Sequence, residues 1–315
     1  MSGQGHFFVP CRCQHRALIL AGGACDTMRP VRPKPVLLSA AAACAVVHAA
    51  GILFADPLWR YAEVLCVGVL LVYAVMSGLP APRWAVPAAL AALAVDAVRT
   101  MPANPGTEAY TWQVLQPGNG IDVPSGFEAG LTATGALLAA AALLLVVWGR
   151  GGWRRGAMAA AALPAVLITG YALVRVVDIG LAVRAEGERY AIGIDAADAV
   201  TAVSLAVLPA LTLALMALAL AAALAGHGRR LASTGAALLA VAALPHLDSS
   251  IDAVQLPLYA GERTALFSSY AIAPTLTMPS PVPAMTAAVE LTAVLLLIAG
   301  STGRRRRADP LPTAE

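Results

Sequence analysis

The residues with chemical potential in this chain are ionisable groups set among alanine, leucine and valine. Glu290 stands in the run Ala287-Ala288-Val289-Glu290-Leu291-Thr292, and His48 follows Val46-Val47. A carboxylate in such surroundings needs a cation or a proton of its own, because a bare charge in a medium of low polarity is costly. Three further pairs, Arg60 with Glu63, Asp96 with Arg99 and Arg175 with Asp178, are spaced i, i+3, which puts both members on one helical face. Asp195 and Asp198 share a face in the same way, with Thr201, Ser204 and Thr212 extending polarity beyond them. His246, Asp248 and Asp252 follow Pro245, the two carboxylates spaced i, i+4. Side chains of these types bind and release protons or act in pairs as general acid and base. The candidate substrate-binding or proton-coupling residues are therefore Glu290, His48, Asp96, Arg175, Asp178, Asp195, Asp198, His246, Asp248 and Asp252, and Glu290, His48, Arg175, Asp178, Asp96 and Asp248 are expected to border one polar cavity.

The elements that must position them are membrane-spanning helices. Of 315 residues 59% are apolar, 12% charged and 5% aromatic, with a mean hydropathy of +0.74. A water-soluble domain carries about 45–50% apolar and about 25% charged residues, and a disordered chain is poor in apolar ones. A hydrocarbon core about 30 Å thick takes roughly 20 apolar residues per helix. Eight stretches are expected to cross: 36–54, 61–79, 84–98, 129–148, 157–179, 198–225, 231–247 and 284–300. Alanine, leucine and valine without alternation favour helices over barrel strands. The fold class is thus an all-α integral membrane bundle of eight helices. Residues 1–35 form an N-terminal segment, 36–300 the transmembrane domain and 301–315 a basic tail.

Charge sets the direction. With both termini on the cytoplasmic side, fifteen of the 21 basic residues fall on the inner face, among them Arg150, Arg154, Arg155, Arg229, Arg230 and Arg304 to Arg307. Fifteen of the 18 acidic residues fall on the outer face. Basic residues beside spans are held in the cytoplasm, so the pattern predicts a multi-pass protein of a bacterial plasma membrane. The net charge of +3 averages two faces of opposite sign. The arginine clusters lack interleaved aromatics, which argues against nucleic-acid binding.

Each half of four spans follows a similar plan, with a short third span and then a long proline-containing outer segment, 99–128 and 248–283. That pattern suggests a 4+4 parallel repeat, a plan found in transporters. Pro87, Pro164 and Pro209 are expected inside spans, where proline bends a helix. Residues 1–27 hold Cys11, Cys13 and Cys25; translation starting at Met28 would give a basic lead into the first span. Cys11-Arg12-Cys13-Gln14-His15 lacks the ligand number and spacing of a zinc site, and Cys44 and Cys66 read as packing residues. No metal or cofactor is expected.

Several chemistries are disfavoured. No phosphate-binding G-x-x-x-x-G-K-[ST] motif occurs, and the inner loops are too short to grip an ATPase subunit. The sole lysine, Lys34, precedes the first span, so no Schiff base forms inside the bundle. Asp195-Ala-Ala-Asp198 and Asp248-Ser-Ser-Ile-Asp252 share letters with the diphosphate motifs of membrane prenyltransferases but lack their Asn-Asp start and face outward. What remains is a permease-like or small-molecule-binding protein whose acid-rich site opens to the extracytoplasmic face. Its partners would be the bilayer and a lipid or small solute. Two alternatives are an intramembrane enzyme acting on a lipid or isoprenoid from the outer leaflet and a structural subunit of an envelope complex. For the subunit, Tyr110, Trp112, Phe127, Tyr259, Phe267 and Tyr270 would anchor docking loops.

Overall fold

A computed structural model describes residues 33–54, 56–100, 123–151, 153–190, 196–254 and 281–302. The chain divides into residues 1–32 and a unit running from Pro33 onward, and every described residue belongs to the second. The readings of Met28, Cys11, Cys13, Cys25 and Asp195, and of the loop aromatics other than Phe127, therefore lie outside the described residues.

The described residues form helices and no strands: α1 (Pro33–Leu53), α2 (Pro57–Arg60), α3 (Ala62–Ser77), α4 (Ala85–Arg99), α5 (Val123–Trp148), α6 (Arg155–Tyr190), α7 (Ala196–Gly226), α8 (Arg230–Asp252) and α9 (Pro281–Ser301). Seven segments are long and apolar enough to cross a membrane, the short α2 running on into α3 as one of them. Each of the eight expected stretches is helical. The third, however, is the 15-residue α4, about 22 Å long and so short of a hydrocarbon core of about 30 Å.

Prolines mark the helix starts more than the expected bends. Pro33, Pro57, Pro124 and Pro281 lie in first turns, where a missing N–H costs nothing. Pro87 is also a first-turn residue, the third of α4, and not the interior break expected of it. The interior prolines are Pro164, Pro209 and Pro245. Pro245 was expected at the exit of a span, but α8 continues through it to Asp252.

The helices pack in a closed circuit, α1 on α3, α3 on α4, α4 on α5, α5 on α7, α7 on α8, α8 on α9 and α9 back on α1, while α6 lies against α7. Burial follows this arrangement: 61% of the apolar window of α7 is buried, against 11% of that of α6. The two halves have different neighbours, since α1 packs on both α3 and α9 whereas α6 packs chiefly on α7, and this does not establish the 4+4 repeat.

Between helices in lipid there is no water to expel, so close packing of small residues holds them together. Ala199, Ala202, Ala206, Ala210, Ala214 and Ala217 are buried along α7, while Leu163, Val166, Leu167 and Val174 of α6 point outward. Gly130 and Gly235 are two of the glycines that let helices approach closely. A Cβ on Gly130 would stand 2.9 Å from Ser250 Oγ and 3.0 Å from the Ala206 carbonyl, and one on Gly235 would stand 2.6 Å from both Ala293 O and Leu297 N. At the end of the bundle where α5 and α9 finish, Arg229 Nη1 donates to the carbonyls of Gly300 (2.9 Å) and Ser301 (2.6 Å). Its guanidinium lies 4.3 Å over the Trp148 ring, which meets His227 edge to face. A cation on the last carbonyls of α9 caps that helix and ties it to the α7–α8 turn and the end of α5.

Candidate functional site

At the opposite end of the bundle, two imidazoles meet two carboxylates. His48, near the end of α1, is buried, and its Nδ1 lies 3.1 Å from the carbonyl of Arg60. A carbonyl only accepts, so Nδ1 carries the hydrogen and Nε2 is left as the nitrogen that gains or loses a proton. Nε2 faces Glu63 Oε2 at 3.6 Å, an electrostatic contact rather than a hydrogen bond. On the other side, His246 Nε2 of α8 is hydrogen-bonded to Glu290 Oε1 of α9. Both side chains are mostly sheltered, with 18% and 21% of their surface exposed.

The two contacts belong to one electrostatic neighbourhood. Glu290 acts on His48, on Glu63 and on Asp96, and Asp96 acts on Glu63. Arg60 and Arg99 supply the nearby positive charge. Five helices thus contribute: α1 gives His48, α3 Glu63, α4 Asp96, α8 His246 and α9 Glu290. The packing of α1 on both α3 and α9, and of α8 on α9, brings them together. Below them the space inside the circuit is filled. Leu90, Leu137, Leu144, Leu239, Val294 and Leu297 line a residual void of about 10 Å³. A void of that size with no polar wall stays dry.

The remaining candidates sit elsewhere. Tyr171 of α6 donates its hydroxyl to both oxygens of Asp248 (3.0 and 2.9 Å), and Arg175 Nε donates to Asp248 Oδ1 at 3.2 Å. Asp252 joins this group by charge. His246 and Asp248 are two residues apart, about 200° around the helix, so α8 carries the two groups on opposite faces. The side chains expected around one cavity are therefore divided between two places. Arg175 does not take the i+3 partner its spacing suggested; it reaches across to α8, and Asp178 is exposed. Asp198 is exposed at the start of α7, and Thr201 and Ser204 return their hydroxyls to the carbonyls of Ala197 and Val200 in their own helix. Asp96 also lines an open groove of about 510 Å³ between α4 and α5.

Two side chains of these groups were not among the candidates. Glu63 read as half of a charge pair with Arg60, but as the second residue of α3 it is set against His48 near the end of α1. Tyr171 read as part of an apolar span, although it lies i−4 from Arg175 and hence on the same face. Among the described residues no group of three His, Cys, Asp or Glu side chains is placed to hold a metal ion. At the α1–α3–α4–α8–α9 end each imidazole thus faces a carboxylate. Compared with protein-family models, curated proteins and solved structures, the chain matches none.

Proposed function

We propose that this chain is a permease-like, small-molecule-binding membrane protein in which His48, Glu63, Asp96, His246 and Glu290 bind protons in step with a solute at the extracytoplasmic face. The observation that carries this reading is the meeting of two imidazole–carboxylate contacts from four helices above a dry, filled interior. Titratable groups inside a membrane bundle are costly to keep, and proton relays in pumps and transporters are built from them. A proton placed on either contact changes the charge that an arriving solute meets. The leucine and valine packing beneath closes the path to the other face in this conformation.

The charge distribution supports eight crossings with both termini cytoplasmic, in the plasma membrane of a bacterium. The short α4 crosses by thinning the bilayer locally, at a cost of fractions of a kcal/mol per Å of mismatch. The test is uptake into proteoliposomes of the purified chain, with a panel of cationic, anionic and neutral solutes and an imposed pH gradient. At least one solute class is expected to accumulate with the gradient and to lose that dependence tenfold or more in Glu290→Gln. Accumulation indifferent to the gradient, or unchanged in Glu290→Gln, contradicts the proposal.

A further inference from the structure

The groove between α4 and α5 runs about 12 Å along α4, from Ala91 to Arg99, and its volume is about 510 Å³. Its walls are small or apolar: Ala92 and Val95 on α4, Leu131, Gly135 and Ala136 on α5. Gly135 keeps it open, since a Cβ there would meet nothing nearer than Leu131 Cδ1 at 3.8 Å. The groove faces outward, for the adjoining Val95, Val98 and Leu131 are 68%, 56% and 47% exposed. At one end Asp96 and Arg99 both line it, and their i, i+3 spacing puts a carboxylate and a guanidinium side by side.

We propose that this groove holds a membrane phospholipid with an amine-bearing zwitterionic headgroup, its acyl chain along the small-residue walls, its phosphate on Arg99 and its ammonium on Asp96. A guanidinium matches phosphate oxygens with paired N–H donors, and a carboxylate accepts from an ammonium. An anionic lipid without an amine would set negative charge against Asp96. Helix lengths favour a lipid over a free solute. At about 22 Å, α4 is much shorter than the 26-residue α5 beside it, which is about 39 Å long. A headgroup drawn down onto α4 fills that step and satisfies two charges that hydrocarbon would otherwise meet.

The proposal is tested on the full chain reconstituted in vesicles of equal phosphatidylethanolamine and phosphatidylglycerol, extracted gently and weighed by native mass spectrometry. The wild type is expected to retain one phosphatidylethanolamine, at least fivefold over phosphatidylglycerol. Filling the groove with Gly135→Leu, or removing the phosphate partner with Arg99→Gln, should lower that retention at least fivefold. Asp96→Asn should keep a lipid but lose the preference between the two. Equal retention of both lipids by the wild type overturns the proposal, as does undiminished phosphatidylethanolamine in folded Gly135→Leu and Arg99→Gln. Asp96 is one of the five proton-binding side chains proposed above but Gly135 and Arg99 are not, so the Gly135→Leu and Arg99→Gln results and the gradient experiment can fail separately.

Discussion

Glu290 and His246 hold each other across the α8–α9 interface, and their contact sets what each can be replaced by. Glu290→Gln keeps an acceptor for the imidazole and is predicted to change stability by less than about 1 kcal/mol, whereas Glu290→Ala leaves a sheltered His246 without its partner and should cost about 1–3 kcal/mol. Thermal unfolding in detergent measures both. The Tyr171–Asp248–Arg175 group is a contrast, since it is about a third exposed. Tyr171→Phe should cost less than about 1 kcal/mol after solvent screening and leave gradient-driven uptake unchanged, because α8 separates the two groups. A loss of uptake in Tyr171→Phe would join them into one site. At this scale the sequence is legible in part. The depth of Glu290 is plain from its neighbours, but its partner lies 44 residues away and is set by the register of α8 on α9. The spacing of Arg175 and Asp178 points to a pair, yet a carboxylate on another helix takes the arginine. Arg229 reads as a topology signal, while in the fold it also caps α9 and covers Trp148.

The helices themselves were readable because apolar runs of span length have few other structures in lipid. Their ends were less so. Hydropathy marks where hydrocarbon stops, but backbone hydrogen bonding continues, so α5 begins at Val123 rather than Ala129 and α6 runs on from Ile179 to Tyr190. α8 passes Leu247 because Pro245 removes one bond without ending the helix. Which residues meet a neighbouring backbone is also invisible from spacing in a chain so rich in small side chains. Gly235 and Gly170 look alike in sequence. A Cβ on Gly235 would press on the α9 backbone at 2.6 Å, while one on Gly170 meets nothing within 4 Å. Gly235→Ala is predicted to destabilise by about 1–3 kcal/mol through overpacking. Gly170→Ala, in the interior of a helix, should stabilise by about 0.5–1 kcal/mol. Paired thermal melts check the difference, and equal shifts would contradict the packing described.

For the whole molecule, the closed circuit of helices gives a polar end and an arginine-clamped end with packed leucines between. Composition alone points to helices apolar enough to cross a membrane; the order of packing, with α7 buried and α6 outside, comes from contacts no linear pattern records. Single cysteines on a background lacking native ones fix the orientation. Residues 151 and 228 should react only with reagent admitted to the cytoplasm, and residues 56 and 253 only with reagent outside. The reverse labelling would invert the site. If the imidazole–carboxylate side chains couple proton movement to a solute, as proposed, protons counted against solute in sealed proteoliposomes will show it. The wild type should move them in a fixed ratio, while Glu290→Gln should still exchange solute but carry at least tenfold fewer protons with it. The same ratio in Glu290→Gln as in the wild type would rule that coupling out.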